Sequence, residues 1–518
     1  MKTIPMTGRI ATVIVTATLT LTGCAGGSVD NVKTAPPVVS EKGSLPGDQD
    51  SVSVGAPVNE AGEIFDNSED GGHAIEIDGD TAEYSKATVT KTGDSEGDEA
   101  DFYGENSAIF ATNGAHLTLS DMNITTNGTH ANAVFSYGEG TVVDISNSTI
   151  ETSGNCSGGI MTTGGGTMNV SNLTIHTTGR SSAAIRSDRG GGTVTVNGGN
   201  YTTEGLGSPA IYSTADITVN DASLTSTTSQ GVVVEGKNSV TLNNVVLNAD
   251  NNQHNSDKSD VFEAIMIYQS MSGDAAEGLA KFSATGGQIS NANGDVFFVN
   301  NTATDITLSN VNITNNGGGA FLRAAAAGWG NEGSNGGKVN LTATSQKIEG
   351  DMIVDDISVL NLYLKDGSAF NGAINPEGSA GDVYVEITDG SKWTLTGDSN
   401  INSLTCEADS IDLNGYTLMV DGKKYTEGTA CSGEAVEIKS EGGGREGMQA
   451  PPDGDEPQMG GKDMEPPKDG ERPSKPDGEP PEKPDGDPPA KTDGQPPEKP
   501  DGMGGFGLVK NMTDFVNY

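Results

Sequence analysis

Ala133-Val134-Phe135, Val143-Asp144-Ile145 and Ile150-Glu151 together form one unit of a pattern that returns along the chain, and its period decides the fold. The middle element, an apolar pair bracketing one polar residue, recurs as Leu117/Leu119, Val143/Ile145, Met168/Val170, Val194/Val196, Ile217/Val219 and Val240/Leu242. The second members lie 26, 25, 26, 23 and 23 residues apart. Each unit holds three short alternating segments punctuated by Gly, Asn, Ser and Asp, with no apolar run at helical spacing. A strand-turn unit of this size cannot bury its own apolar face, so successive units must stack. The expectation is an all-β parallel β-helix solenoid. It has roughly ten coils between Asn106 and Phe370 and is on the order of 50 Å long at about 4.8 Å per strand.

Aligned coils assign faces, because side chains alternate along a strand. In the second strand Thr118, Asp144, Asn169, Thr195, Thr218 and Thr241 point outward. In the third, Ile124, Ile150, Ile175, Tyr201 and Leu224 point inward. The first strand has the inward column Ile109, Val134, Ile160, Ile185, Ile211 and Val233, followed by Phe110, Phe135, Met161, Arg186, Tyr212 and Val234. That second column reads as an exposed ligand-contact strip. Two alternatives stand beside it: a bend turns the column inward, or the acidic segment upstream covers it.

Insertions interrupt the period at Asp250–Ser259, Gln269–Glu277 and Ala324–Gly337. The latter two leave the same edge and are placed to wall a groove with Trp329, Tyr268 and Arg323. Insertion without function is the equal alternative.

The chain carries a formal charge of −43 and 73 glycines, with the acid concentrated in the terminal stretches and around Gly93–Glu105. That field disfavours nucleic acid and, absent a local patch, polyanions. The five histidines show no metal-ligand spacing, and no cofactor motif is present. For catalysis the best cluster is Arg186, Asp188 and Arg189, with Asp188 and Glu235 a conceivable carboxylate pair two coils apart. Gly93-Asp94-Ser95-Glu96-Gly97 matches a serine-nucleophile pattern in letters only, lacking the strand-turn-helix context.

Lys2 and Arg9, an uncharged stretch and Leu21-Thr22-Gly23-Cys24 read as a lipoprotein signal over 1–24, with Cys24 lipidated and the protein held outside the membrane. A flexible linker over 25–62 and an acidic cap region over 63–105 precede the repeats at 106–374. A C-terminal β cap at 375–440 follows, then a Pro/Asp/Gly-rich tail at 441–502 and a short apolar end at 503–518. Cys406 and Cys431, 25 residues apart, are either stacked as a disulfide or two unrelated thiols.

The segment Gly390-Ser391-Lys392-Trp393-Thr394-Leu395-Thr396-Gly397-Asp398-Ser399-Asn400-Ile401-Asn402-Ser403-Leu404 resembles the closing segment of pertactin-like autotransporter passengers and related surface β-helices. Gly207-Ser208-Pro209-Ala210-Ile211-Tyr212 is similar to their repeat phrases. The resemblance, over about 106–425, implies a capped right-handed β-helix of adhesin-like type without enzyme activity. The family's membrane barrel has no counterpart here. The sequence therefore leads to a monomeric surface lipoprotein that binds glycan or a surface protein. A polysaccharide lyase or glycosidase, and a structural spacer, are the alternatives.

Overall fold

The computed structural model describes residues 62–378 and 381–438. The signal, Cys24, the linker up to 61 and the C-terminal tail lie outside the described residues.

Parallel strands dominate. One sheet has eleven strands, from Ile75–Asp78 through Val134–Tyr137 and Val232–Glu235 to Met352–Val354. The second strands, with the third strands up to Asn312–Asn315, build the larger sheet, and the third strands from Lys347–Glu349 onward form a four-stranded sheet of their own. The ladders run coil to coil, His116–Ser120 pairing with Val142–Ser146 and Asn123–Thr126 with Thr149–Thr152. The fold is a parallel β-helix solenoid. It begins upstream of the clear repeat, since Ile75–Asp78 pairs with Ile109–Thr112 and Thr81–Ser85 with His116–Ser120. At the other end Asp382–Ile387 and Ser403–Cys406 continue the same ladder.

Elementary chemistry explains each corner. β-branched Val, Ile and Thr fill pleated positions. The bend between second and third strands needs a left-handed residue, and Asp121, Asn147, Asn172, Gly198, Asp221 and Asn244 supply it, each at positive φ. Their side chains tie neighbouring coils: Asn172 Nδ2 donates to Asn147 Oδ1 at 3.1 Å and Asn244 Nδ2 to Asp221 Oδ1 at 2.7 Å. At the next corner the backbones approach so closely that a Cβ on Gly154 would sit 1.9 Å from Gly128 O. A serine ladder closes this corner, with Ser157 Oγ donating to Gly128 O at 2.7 Å and Ser208 Oγ to Gly179 O at 2.8 Å.

The apolar pairs named from sequence stack in register as the core, for example Leu117 on Val143 and Ile217 on Val240. One register differs. Tyr212 pairs with Val233 and Ile211 with Val232, so Val232 and Val234 face the core and Val233 lies in the outer column. Three successive valines carry no alternation to fix their phase, and a one-residue slip exchanges faces. Near the C-terminal end Trp393 is buried, stacks on Phe370 with centroids 5.5 Å apart, and donates from its indole to Gly372 O at 2.9 Å.

Candidate functional site

The outer column of the eleven-stranded sheet runs Glu76, Phe110, Phe135, Met161, Arg186, Tyr212, Val233, Met266, Phe298, Arg323, Ile353. It points away from the core, but Phe110, Phe135, Met161, Arg186, Val233, Met266 and Phe298 are buried under a roof, which corrects the expectation of an exposed strip. Phe110, Phe135 and Met161 are buried in a cluster of their own. Their cover is the acidic segment upstream, which forms a short helix, Asp98–Tyr103. Phe102 is buried, its carbonyl accepts from Thr163 Oγ1 at 2.6 Å, and Gly104 passes so near that a Cβ would meet Phe110 at 2.8 Å and Phe135 at 2.9 Å. His73 stacks on Phe110 from the first coil, centroids 4.6 Å apart. An aromatic column left bare would expose a contiguous apolar patch, and covering it removes that cost.

Farther along, insertions make the roof. Val233, Met266, Tyr268, Phe298 and Trp329 form a second buried cluster, with Val261, Ala325 and Ala327 from the inserted loops packed on it. Trp329 meets Tyr268 edge to face, centroids 5.3 Å apart. Arg323 pairs with buried Asp295, Nε to Oδ2 at 2.6 Å.

The two roofs leave a groove between them. Phe102, Arg186, Asp188, Tyr212, Glu235 and Asp274 line one part; Gln230, Asn251, His254, Lys258, Glu263 and Trp329 line the other; Tyr268, Ser270 and Ser272 border both. The cavities are about 80 Å³ and 40 Å³. Both are smaller than the roughly 150 Å³ cavity that takes up a benzene ring, so neither part encloses a ring-sized group and the groove is a shallow surface feature.

The two arginines at the groove are paired with carboxylates. Arg186 donates from Nη2 to Asp188 Oδ2 at 3.0 Å, with both side chains buried. Arg189 holds Asp274 through Nη2 at 2.7 Å while its guanidinium lies 3.8 Å over the Phe102 ring, joining one roof to the other. Glu235 is buried and receives the Tyr212 hydroxyl, the Tyr268 hydroxyl at 3.0 Å and the Ser270 amide at 3.3 Å. Burial pushes its pKa above the usual carboxylate range, the hydrogen bonds oppose that, and the charge of Asp274 adds to it.

The structure therefore brings Arg186, Asp188, Tyr212, Glu235, Tyr268 and Trp329 to one groove, leaves Arg323 outside its lining, half-buried against Asp295, and sets Phe110, Phe135 and Met161 apart beneath the helix. Asp188 and Glu235 sit two strand steps apart, about 9.6 Å between backbones.

Sequence reasoning missed Glu263. It pairs in register with Asp295 and is pushed up to about 8 by burial, with Asp295 raising it and a hydrogen bond from Gln230 Nε2 at 2.7 Å lowering it. Among the described residues its Oε2 has no hydrogen-bond partner. An acid placed immediately ahead of the small residue Ala264 and the core residue Ile265 was the available signal, since that position is normally covered by the next coil. No group of three or more His, Cys, Asp or Glu able to hold a metal ion occurs among the described residues. No family model, curated protein or solved structure matches this chain.

Proposed function

We propose that this chain is an extracytoplasmic, adhesin-like lipoprotein, anchored through lipid on Cys24, whose solenoid binds a neutral, hydroxyl-rich polysaccharide across the groove between the two roofs. The observation that carries the reading is the composition of that groove. The exposed ring of His254, stacked on Phe262, and the edges of the largely buried Trp329 and Tyr268 border amide and hydroxyl side chains. Such a mixture suits pyranose faces and hydroxyls. Arg186 and Arg189 each have a carboxylate partner, and Lys258 lies among the further acids Glu235 and Glu263, so the groove offers no surplus positive charge, and the overall charge of −43 repels acidic glycans.

The test is electrophoresis of the full chain through gels containing neutral or acidic polysaccharides, beside Trp329→Ala. Retardation by a neutral glycan that the variant loses supports the reading. Equal mobility in every gel would remove it and shift weight to a surface-protein partner or a spacer.

A second reading, inverting hydrolysis, has one specific observation in its favour. Glu235 is held toward its protonated form and lines the same cavity as the carboxylate of Asp188, two strand steps away, which puts an acid and a carboxylate in one site as such a reaction needs. Release of reducing ends by the wild type, absent in Glu235→Gln and Asp188→Asn, would establish it.

A further inference from the structure

We infer that Cys406 and Cys431 are a disulfide-forming pair that fastens the chain's exit strap to the last coil of the solenoid. The two residues face each other in an isolated antiparallel bridge, each amide donating to the other's carbonyl at 3.0 Å. Such a reciprocal pair holds its Cα atoms about 5.5 Å apart, inside the range a disulfide requires. Their sulfurs converge on one carbonyl, Thr429 O, at 3.6 Å from Cys406 and 4.0 Å from Cys431.

What the bond would fasten is visible in the residues that follow. Gly433 exchanges bonds with the Thr405 hydroxyl at 2.9 and 3.1 Å, and the Glu434 amide donates to Ser403 Oγ at 3.0 Å. Val436 exchanges bonds with the Asn361 side chain at 2.9 and 3.0 Å. Ser403, Tyr384 and Asn361 are register partners on successive strands. The strap thus runs back from the last coil across three strands, held downstream of Cys431 by hydrogen bonds to side chains. A pull on residues after 438 reaches the solenoid through this strap. A covalent bond at its start transfers that load to Cys406, which is buried in the strand Ser403–Cys406.

The chemistry balances with a disulfide-bearing oxidant. The thiolate of Cys431, the more exposed partner, attacks the oxidant's sulfur and releases one thiol. The thiolate of Cys406 then attacks the Cys431 sulfur of the mixed disulfide and releases the second, so the pair loses two protons and two electrons overall. Burial raises the Cys406 thiol and so lowers its thiolate fraction, which leaves the first attack to Cys431; the second step proceeds because the two sulfurs are held side by side.

The pair stands apart from the groove and does not depend on its ligand. The experiment equilibrates the full chain in buffers of oxidised and reduced glutathione, blocks remaining thiols, and maps peptides by mass. The expected result is one cross-linked peptide joining Cys406 to Cys431, lighter by two hydrogens, with Cys156 still open to alkylation. Limited proteolysis between Thr429 and Val436 should then slow by about tenfold relative to the reduced chain or to Cys431→Ser, as a local opening is suppressed. Glutathione retained on Cys431 without closure, both thiols alkylated across the whole range of buffers, or equal proteolysis of oxidised and reduced chains would each overturn the proposal.

Discussion

Replacing Glu263 with Gln should change how stability depends on pH more than it changes stability itself. The carboxyl is 2 % exposed, accepts from Gln230 and Asn251 on Oε1, and titrates in the folded chain at about 8 against an ordinary 4.5. A raised folded pKa means that the folded chain holds a proton the unfolded chain has released. The stabilisation is therefore complete below the unfolded value and is lost as pH rises through the folded one. At about 1.36 kcal/mol per unit, the 3.5-unit interval between 4.5 and 8 amounts to roughly 5 kcal/mol. Between about pH 5.5 and about pH 7.5 the wild type should lose roughly 3 kcal/mol relative to the variant. The amide keeps the Oε1 acceptor and cannot ionise, so the variant's profile lacks this slope. Other titrating groups, Glu235 among them, contribute equally to both proteins and cancel in the difference. Urea unfolding at the two pH values measures it. Parallel profiles would refute the argument, because they would mean that Glu263 ionises in the folded chain as easily as in water.

Phe102→Ala should cost roughly 3–5 kcal/mol of local stability, since it empties the position beneath Arg189 and beside the Phe110 cluster. Amide exchange in Ile109–Thr112 should accelerate while the Val359–Lys365 strand keeps its rate; uniform exchange would show that the helix is not a separate roof. Gly179→Ala places a Cβ 1.8 Å from Gly154 O, between coils that cannot separate without breaking their ladders, and should lower stability by roughly 3 kcal/mol in urea unfolding. An unchanged midpoint would contradict the close stacking at this corner. Closing a loop of 25 residues through Cys406 and Cys431 should stabilise the chain by about 3.5 kcal/mol, seen as a higher unfolding temperature for the oxidised wild type and none for Cys431→Ser.

The solenoid was legible because its information is one-dimensional. Leu117, Val143, Met168, Val194, Ile217 and Val240 repeat, and a repeat states both the strand and its neighbour. The insertions were legible for the same reason, as interruptions of a known period, but which of them line the groove was not: Asp250–Ser259 supplies most of one part, while Ala324–Gly337 contributes Trp329 and leaves Arg323 outside. The roof was not. Whether Phe110 and Phe135 face water depends on where a non-repeating segment folds back, and Asp98–Tyr103 has no periodic partner to announce it. The contact that settles the question joins Phe102 to Thr163, 61 residues on, with no motif at either end. Arg186 misled for a physical reason: an arginine is rarely buried alone, but Asp188 two residues later accompanies it below the surface. Glu263 escaped notice because acids are common in this chain, and only burial distinguishes one from another.

The most direct test of glycan binding uses the chain's own fluorescence. It has two tryptophans, of which Trp393 is fully buried in the core and Trp329 borders the groove. Titration with neutral oligosaccharides should produce a saturable emission change and protect Trp329 from acrylamide quenching, with the Trp393 contribution constant and acidic oligosaccharides without effect. A glycan that retards the protein in gels yet leaves Trp329 emission and quenching unchanged would place binding elsewhere on the solenoid and contradict the account.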